Sequence, residues 1–296
     1  MGWQEQLITV YLSVCKYYEE SLWTHCQRFS NCANLSFTDA EVMSLYLFGI
    51  IDKKTEIKQI YDYADRHLRD WFPLLPSYVA FVQRLNRVAD AFAPLLELIQ
   101  EEQAQADNTQ PLLIDSFPVT LAKQGHRFKA CVASELADAG YCSTKRLYFY
   151  GVRVHVIGRR EPGTLPTPEY IAVAPASYSD GKVFDQVAPE LTGEEAYGDK
   201  AYIRPDAKNM MYKQSLTVLT PVKKKKGQKY LDADEQWLST AVSSIRQPIE
   251  SLFAWIEEKT GIEQAGKVRS YQGLLVHVFG RLAAACFFWN KLRVCP

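Results

Sequence analysis

Apolar residues recur at three- and four-residue spacing through most of the first hundred positions, which predicts a helical start to the chain. Within residues 4–30, Leu7, Val10, Tyr11, Val14, Tyr17 and Tyr18 fall on one face of an amphipathic helix. Thr38-Asp39-Ala40-Glu41 has the form of a capping box, ahead of Val42, Leu45, Tyr46 and Phe48. Ile57 to Leu68 reads as a short helix. Pro73 and Pro76 then interrupt the chain, and Ser77 caps a longer helix expected from Tyr78 to Gln100. The stretch Glu101 to Gln110 is polar and almost free of large apolar side chains, so it reads as a linker. Residues 1–105 are therefore expected to form an all-α N-terminal domain.

From residue 111 the period shortens. Leu112-Leu113-Ile114, between Pro111 and Pro118, is the continuous apolar run of a buried strand, ending at Asp115. Leu147 to Ile157 alternates, with Tyr148, Tyr150, Val152, Val154 and Val156 on one face and Arg153 and His155 on the other. Pro162, Pro166 and Pro168 mark a hairpin loop before a strand at Tyr170–Ala174. A helix near Val183–Leu191, a strand into Asp199, a strand at Leu216–Pro221 and a helical segment Asp234–Thr260 follow. Tyr271–Leu292 closes this second domain, expected over residues 111–296. Its run Leu274–Trp289 is apolar but interrupted by His277 and Arg281, and is short for a membrane span. It reads as a buried helix. The fold class is α/β (α+β mixed), a mixed sheet flanked by helices after a helical domain.

Charge changes the picture only through its distribution. The net charge is zero, which excludes a uniformly basic nucleic-acid binder. Residues 1–110 carry 9 basic against 15 acidic side chains, residues 111–199 carry 9 against 11, and residues 200–296 carry 16 against 8. The excess of positive charge in the last third fits a phosphate-facing surface and equally a solvated basic face. The 7 cysteines form no C-x-x-C pair, so a structural zinc site is not expected. Met1-Gly2-Trp3-Gln4-Glu5 lacks the basic start of a signal peptide, and a reducing cytoplasm is the expected compartment.

Three carboxylates sit in unusual company. Asp115 ends an apolar strand, where an unpaired charge is costly to bury. Asp199 lies in Tyr197-Gly198-Asp199-Lys200-Ala201-Tyr202. Glu250 lies one helical turn after Arg246 in Arg246-Gln247-Pro248-Ile249-Glu250. Pro248 is tolerated mainly in a first turn, so a helix start or kink there is expected to put Glu250 near a helix N-terminal end. In this order, with Asp115-Ser116, Tyr141-Cys142 to Lys145, and Tyr150-Gly151-Val152-Arg153-Val154-His155, these pieces resemble the DDE transposases of bacterial insertion sequences. Those enzymes are relatives of retroviral integrases with an RNase H-like core, and the resemblance runs through roughly residues 36–290. Ser243 and Glu257 stand where some insertion-sequence families carry a Tyr and a Lys, so the hairpin-forming signature is not matched.

The resemblance implies that Asp115, Asp199 and Glu250 hold two Mg²⁺ or Mn²⁺ ions for phosphoryl transfer on double-stranded DNA. Such ions sit about 3.5–4 Å apart and take oxygen ligands. It also implies hydrolysis at element ends, strand transfer into target DNA, a homodimer in the DNA complex, and a bacterial, nucleoid-associated setting. Supporting contacts are expected from His155, Arg246, Lys200 and Tyr202. DNA contacts are expected from Arg84 and Arg87 on the Ser77 helix, from Arg153, and from Lys223, Lys224, Lys225, Lys226 and Lys229. Each has a plainer reading: a polar bundle face for the two arginines, a structural histidine, an ordinary ion pair for Arg246, a solvated loop for the lysines. His126 and the aromatic-basic residues around it could stack on an unpaired base. A metal nuclease that cuts without joining and an inactive DNA-binding remnant are the alternatives.

Overall fold

The computed structural model describes residues 2–28, 35–103, 110–191, 195–202, 216–224 and 226–291. The chain divides into two compact units, one of residues 1–104 with 256–296, the other of residues 105–255. The residues from Ile256 onward thus group with the helical unit, whereas the sequence pattern assigned them to the sheet.

In the helical unit, α1 (Trp3–Glu20), α2 (Asp39–Ile51), α3 (Ile57–His67), α4 (Tyr78–Arg87) and α5 (Phe92–Gln103) follow the expected periodicity. The Thr38 capping box forms, with Thr38 Oγ1 accepting from the Glu41 N–H at 3.2 Å. α2 is buried almost all round, as a central helix must be. The long helix expected after Ser77 is instead two helices joined by a 3₁₀ turn at Ala89–Ala91. Pro94 explains the break, because a restart at Phe92 moves it into a first turn, where its missing N–H costs nothing. The C-terminal part of the unit is α8 (Tyr271–Leu275), a π-helical turn Val276–Gly280 and α9 (Arg281–Lys291). Tyr46 of α2 packs edge-on against Phe92 at 5.6 Å and donates its hydroxyl to the Val276 carbonyl at 3.2 Å. A Cβ at Gly280 would stand 2.7 Å from the Tyr46 ring, so only glycine fits beneath it. The segment Tyr271–Trp289 is long and apolar enough to cross a membrane, yet 72% of its apolar window is buried inside the protein, as in a core helix.

The second unit is built on a curled, six-stranded mixed sheet in the order β2-β3-β1-β5-β6, with β4 also on β3. β1 (Leu112–Lys123) and β3 (Leu147–Arg159) pair antiparallel along their length. β2 (Asp138–Cys142) and β4 (Thr167–Pro175) share the other edge of β3 end to end. β5 (Glu195–Tyr197) and β6 (Thr217–Leu219) add parallel strands beyond β1. This is the strand order of an RNase H-like core. β1 does not stop at Asp115; it continues through Pro118, which pairs with Arg153. Beyond Leu113 the pairing of β1 with β5 has ended, so the proline is accommodated as on an edge strand.

The two sheet faces are covered by different helices. Leu112 and Ile114 pack with Phe184 of α6 (Asp180–Val187), together with Ile157 and Tyr202. Leu113 and Tyr197 pack with Val242 and Ile249 of α7 (Ala233–Thr260), and Phe117 meets Phe253 at 4.8 Å between rings. α7 runs unbroken for 28 residues with Pro248 inside it. The expectation that Glu250 lies near a helix N-terminus is therefore corrected, since packing on the sheet holds the helix together across the proline.

Candidate active site

Strand alternation decides which side chains meet. Leu113, Asp115 and Phe117 alternate onto the α7 face of β1, while Leu112, Ile114 and Ser116 alternate onto the α6 face. The parallel pairing sets Leu113 beside Tyr197, and Asp199 follows two residues after Tyr197, near enough for its charge to act on Asp115. From above, Arg246 of α7 donates to Asp115 Oδ2 at 2.6 Å and to Glu250 Oε1 at 2.5 Å. One guanidinium thus ties the first and third acids together.

Burial pushes the Asp115 carboxyl up to about 6. The Arg246 charge and the Ser116 N–H, 2.9 Å from Asp115 Oδ1, pull it down, and the charge of Asp199 pushes it up. Glu250 is exposed, and so are Asp199, which accepts the Lys200 N–H, and Lys200 itself. Among the described residues, no three His, Cys, Asp or Glu side chains stand close enough to share one metal ion. Arg246 lies between two of the three carboxylates and pairs with both. The donor set is nonetheless all oxygen, which suits a hard divalent ion.

The neighbouring candidates separate from this face. Register sets Ser116 beside His155 and Pro118 beside Arg153, so His155 and Arg153 lie on the α6 side, away from Asp115. His155 is buried, its Nδ1 3.6 Å from Asp180 Oδ1. Desolvation pushes its pKa down to about 4, and the Arg153 charge adds to this against Asp180. It is a buried neutral imidazole rather than a contact for phosphate. Arg153 is committed to Ser116 Oγ and Asp180 Oδ1, both at 3.4 Å, and to the Tyr141 carbonyl. Tyr202, expected to touch substrate, is a core residue, 2% exposed and edge-on to Phe184 at 5.9 Å. Its hydroxyl is held well above its ordinary pKa by burial and by the acids around it.

In the helical unit, Arg84 is half-buried and committed within the protein. It donates to buried Asp39 at 3.3 Å beside Arg28, and its guanidinium lies 5.6 Å from the Phe37 ring. Arg87 stays exposed. Lys223, Lys224, Lys226 and Lys229 are exposed before α7, with Lys224 donating to the Lys229 carbonyl at 2.8 Å; Lys225 lies outside the described residues. Sequence reasoning missed Asp180, the acceptor that gathers Ser116, Arg153 and His155. Its only signal was an acid at the first position of a helix.

Residues 107–287, more than half of the chain, match the family described as Transposase DDE domain. The chain belongs to the DDE transposase family. No curated protein and no solved structure matches it. In this transposase, Asp115 lies on a strand, Asp199 in the loop after β5 and Glu250 on a helix, all within the matched residues.

Proposed function

We propose that this transposase hydrolyses a phosphodiester at the ends of a DNA element and directs the freed 3′-hydroxyl at a phosphodiester of target DNA. The single observation behind the reading is a half-buried carboxylate at a sheet face that shares one arginine with a second acid. Asp115, Asp199 and Glu250 would hold divalent magnesium or manganese. Such an ion, when bound, supplies Lewis-acid activation of water and neutralises charge on the phosphate. The chain's own part is positioning and electrostatics. Asp115 is fixed by β1, Glu250 by the packed face of α7, and Arg246 is released from its carboxylates to pair with a DNA phosphate. Lys223, Lys224, Lys226 and Lys229 would follow the backbone. Joining two ends requires two active sites, so a homodimer on DNA is part of the proposal.

The test combines binding and chemistry. Titration calorimetry with Mn²⁺ should show heat for the wild-type protein and about a hundredfold weaker binding for Asp115→Ala. Asp115→Asn should lower strand cutting by about a hundredfold or more. A pre-cleaved end should be joined to target DNA by the wild type. Cutting without joining would leave a nuclease, and unchanged Mn²⁺ binding by Asp115→Ala would remove the metal from the proposal.

A further inference from the structure

Ser116 is held from both faces of the sheet. Its side chain lies on the α6 face of β1, opposite to that of Asp115. Its backbone points to an edge. Arg160 donates to the Pro111 carbonyl at 3.0 Å, one step beyond the Leu112–Arg159 pair of the β1–β3 ladder. Hydrogen-bonded pairs alternate with open ones in such a ladder, so Leu113, Asp115 and Phe117 turn their backbone groups toward β3. Ser116 turns its N–H to the other edge, where β5 pairs only with Leu112 and Leu113. There the N–H meets Asp115 Oδ1 at 2.9 Å.

The hydroxyl of the same residue is anchored on the α6 side. Ser116 Oγ donates to Asp180 Oδ1 at 2.7 Å, short as expected for a hydroxyl on a carboxylate. Asp180 is the first residue of α6, a position where an acid ordinarily serves its own helix. Its carboxylate instead reaches two strands. Arg153 of β3 stands 3.4 Å from the same Oδ1, and another nitrogen of that guanidinium donates to the Tyr141 carbonyl of β2. His155, opposite Ser116 in the ladder, places a buried neutral ring beside the pair, and a low local dielectric strengthens its hydrogen bond.

A group on the α6 face can act on Asp115 only through the strand between them, and Ser116 is that path. With its hydroxyl anchored, residue 116 keeps one orientation, and its N–H stays aimed at one oxygen of Asp115. The other oxygen, Oδ2, is left on the α7 side, where Arg246 meets it at 2.6 Å.

We propose that Asp180 is a positioning residue of the active site, acting through Ser116 to fix which carboxylate oxygen Asp115 presents toward Arg246 and the reacting phosphodiester. The assignment rests on the transposase reading, since it supposes that Asp115 works in that reaction.

The experiment is a cycle of Asp180→Ala, Ser116→Ala and the double variant in the full chain, read by Mn²⁺ titration calorimetry and by cutting of an end duplex. Each single change should weaken Mn²⁺ binding about tenfold. The double variant should bind no more weakly than either, because both changes break one path. Cutting should fall by a similar factor in kcat with KM unchanged. Ser116→Thr keeps the hydroxyl and should match the wild type. A merely structural Asp180 would lower the melting temperature and leave Mn²⁺ affinity and kcat alone, which overturns the assignment. Losses that multiply to about a hundredfold in the double variant also overturn it, because Asp180 would then act by another route. If Asp180→Ala does not fold, Ser116→Ala against Ser116→Thr decides, and equal affinity in the two removes the link. Asp115→Ala keeps the two readings apart. If it loses the ion while Asp180→Ala and Ser116→Ala keep it, only the positioning assignment fails. If it binds the ion as the wild type does, the active-site reading fails and takes the assignment with it.

Discussion

A sealed imidazole resists protonation, and His277 is the clearest case in this chain. Its Nε2–H donates to the Ile262 carbonyl at 2.8 Å, and burial, helped by the Arg281 charge, pushes its pKa down to about 3. The ordinary value is near 6.5, so below that pH the unfolded chain takes up a proton that the folded chain refuses. The stability is complete above about pH 6.5 and is lost as pH falls toward 3. At pH 4.5 the loss is about 3 kcal/mol from this residue. His277→Gln keeps an amide donor for Ile262 and removes the titration. Urea melts at pH 7.5 and 4.5 should therefore differ by about 3 kcal/mol less in the variant. An unchanged difference would mean that the ring is not sealed. At this scale the sequence was informative about chemistry and silent about partners. Asp115 was visible because a carboxylate on an apolar strand is costly. Tyr202 and Arg84 looked functional because nothing local told of Phe184 or of buried Asp39.

Elements were read well where periodicity spoke and less well where a proline spoke against tertiary packing. The alternation of residues 147–157 became β3, and the Thr38 box opened α2. Pro118 was taken as a boundary and Pro248 as a helix start or kink, yet β1 and α7 run through both. In each case the apolar contacts on either side of the proline, Phe117 with Phe253 and Val242 with Ile249 on the sheet, outweigh one missing hydrogen bond. Pro248 denies a donor to the Ser244 carbonyl at a helix interior, where proline costs up to about 3 kcal/mol. Pro248→Ala should then raise the stability of the sheet unit by about 1–2 kcal/mol, seen as a melting temperature several degrees higher. Glu250 lies only two residues further on, so DNA cutting should fall in the same variant if the proline sets its reach toward Asp115. A lower melting temperature would show that the helix is built around the proline.

At the scale of the whole molecule, neutrality conceals a basic last third, and the sequence showed this without showing where the charge lies. Lys223, Lys224, Lys226 and Lys229 are exposed, so changing all four to Ser should reduce the salt dependence of DNA binding. The slope of log K against log salt should fall by about 0.9 for each phosphate given up, and an unchanged slope would return the lysines to the solvent. The fold also joins distant segments, which no local pattern could announce. Residues 256–296 complete the helical unit formed by residues 1–104. Arg281 donates to the carbonyls of Thr55 and Thr260, and the Tyr46 hydroxyl depends on the Val276 carbonyl. A chain ending at Thr260 would leave Tyr46 without its acceptor and strip the cover from α2 and α5, where α9 packs. A buried donor left unpaired costs about 1–3 kcal/mol, and the exposed apolar faces cost more. The truncated protein should therefore show reduced helical circular dichroism and rapid proteolysis within residues 35–103. Supplying residues 256–296 as a separate peptide should restore both signals. If the truncated chain keeps native helicity and resists protease unaided, the C-terminal helices are dispensable to the unit they are grouped with.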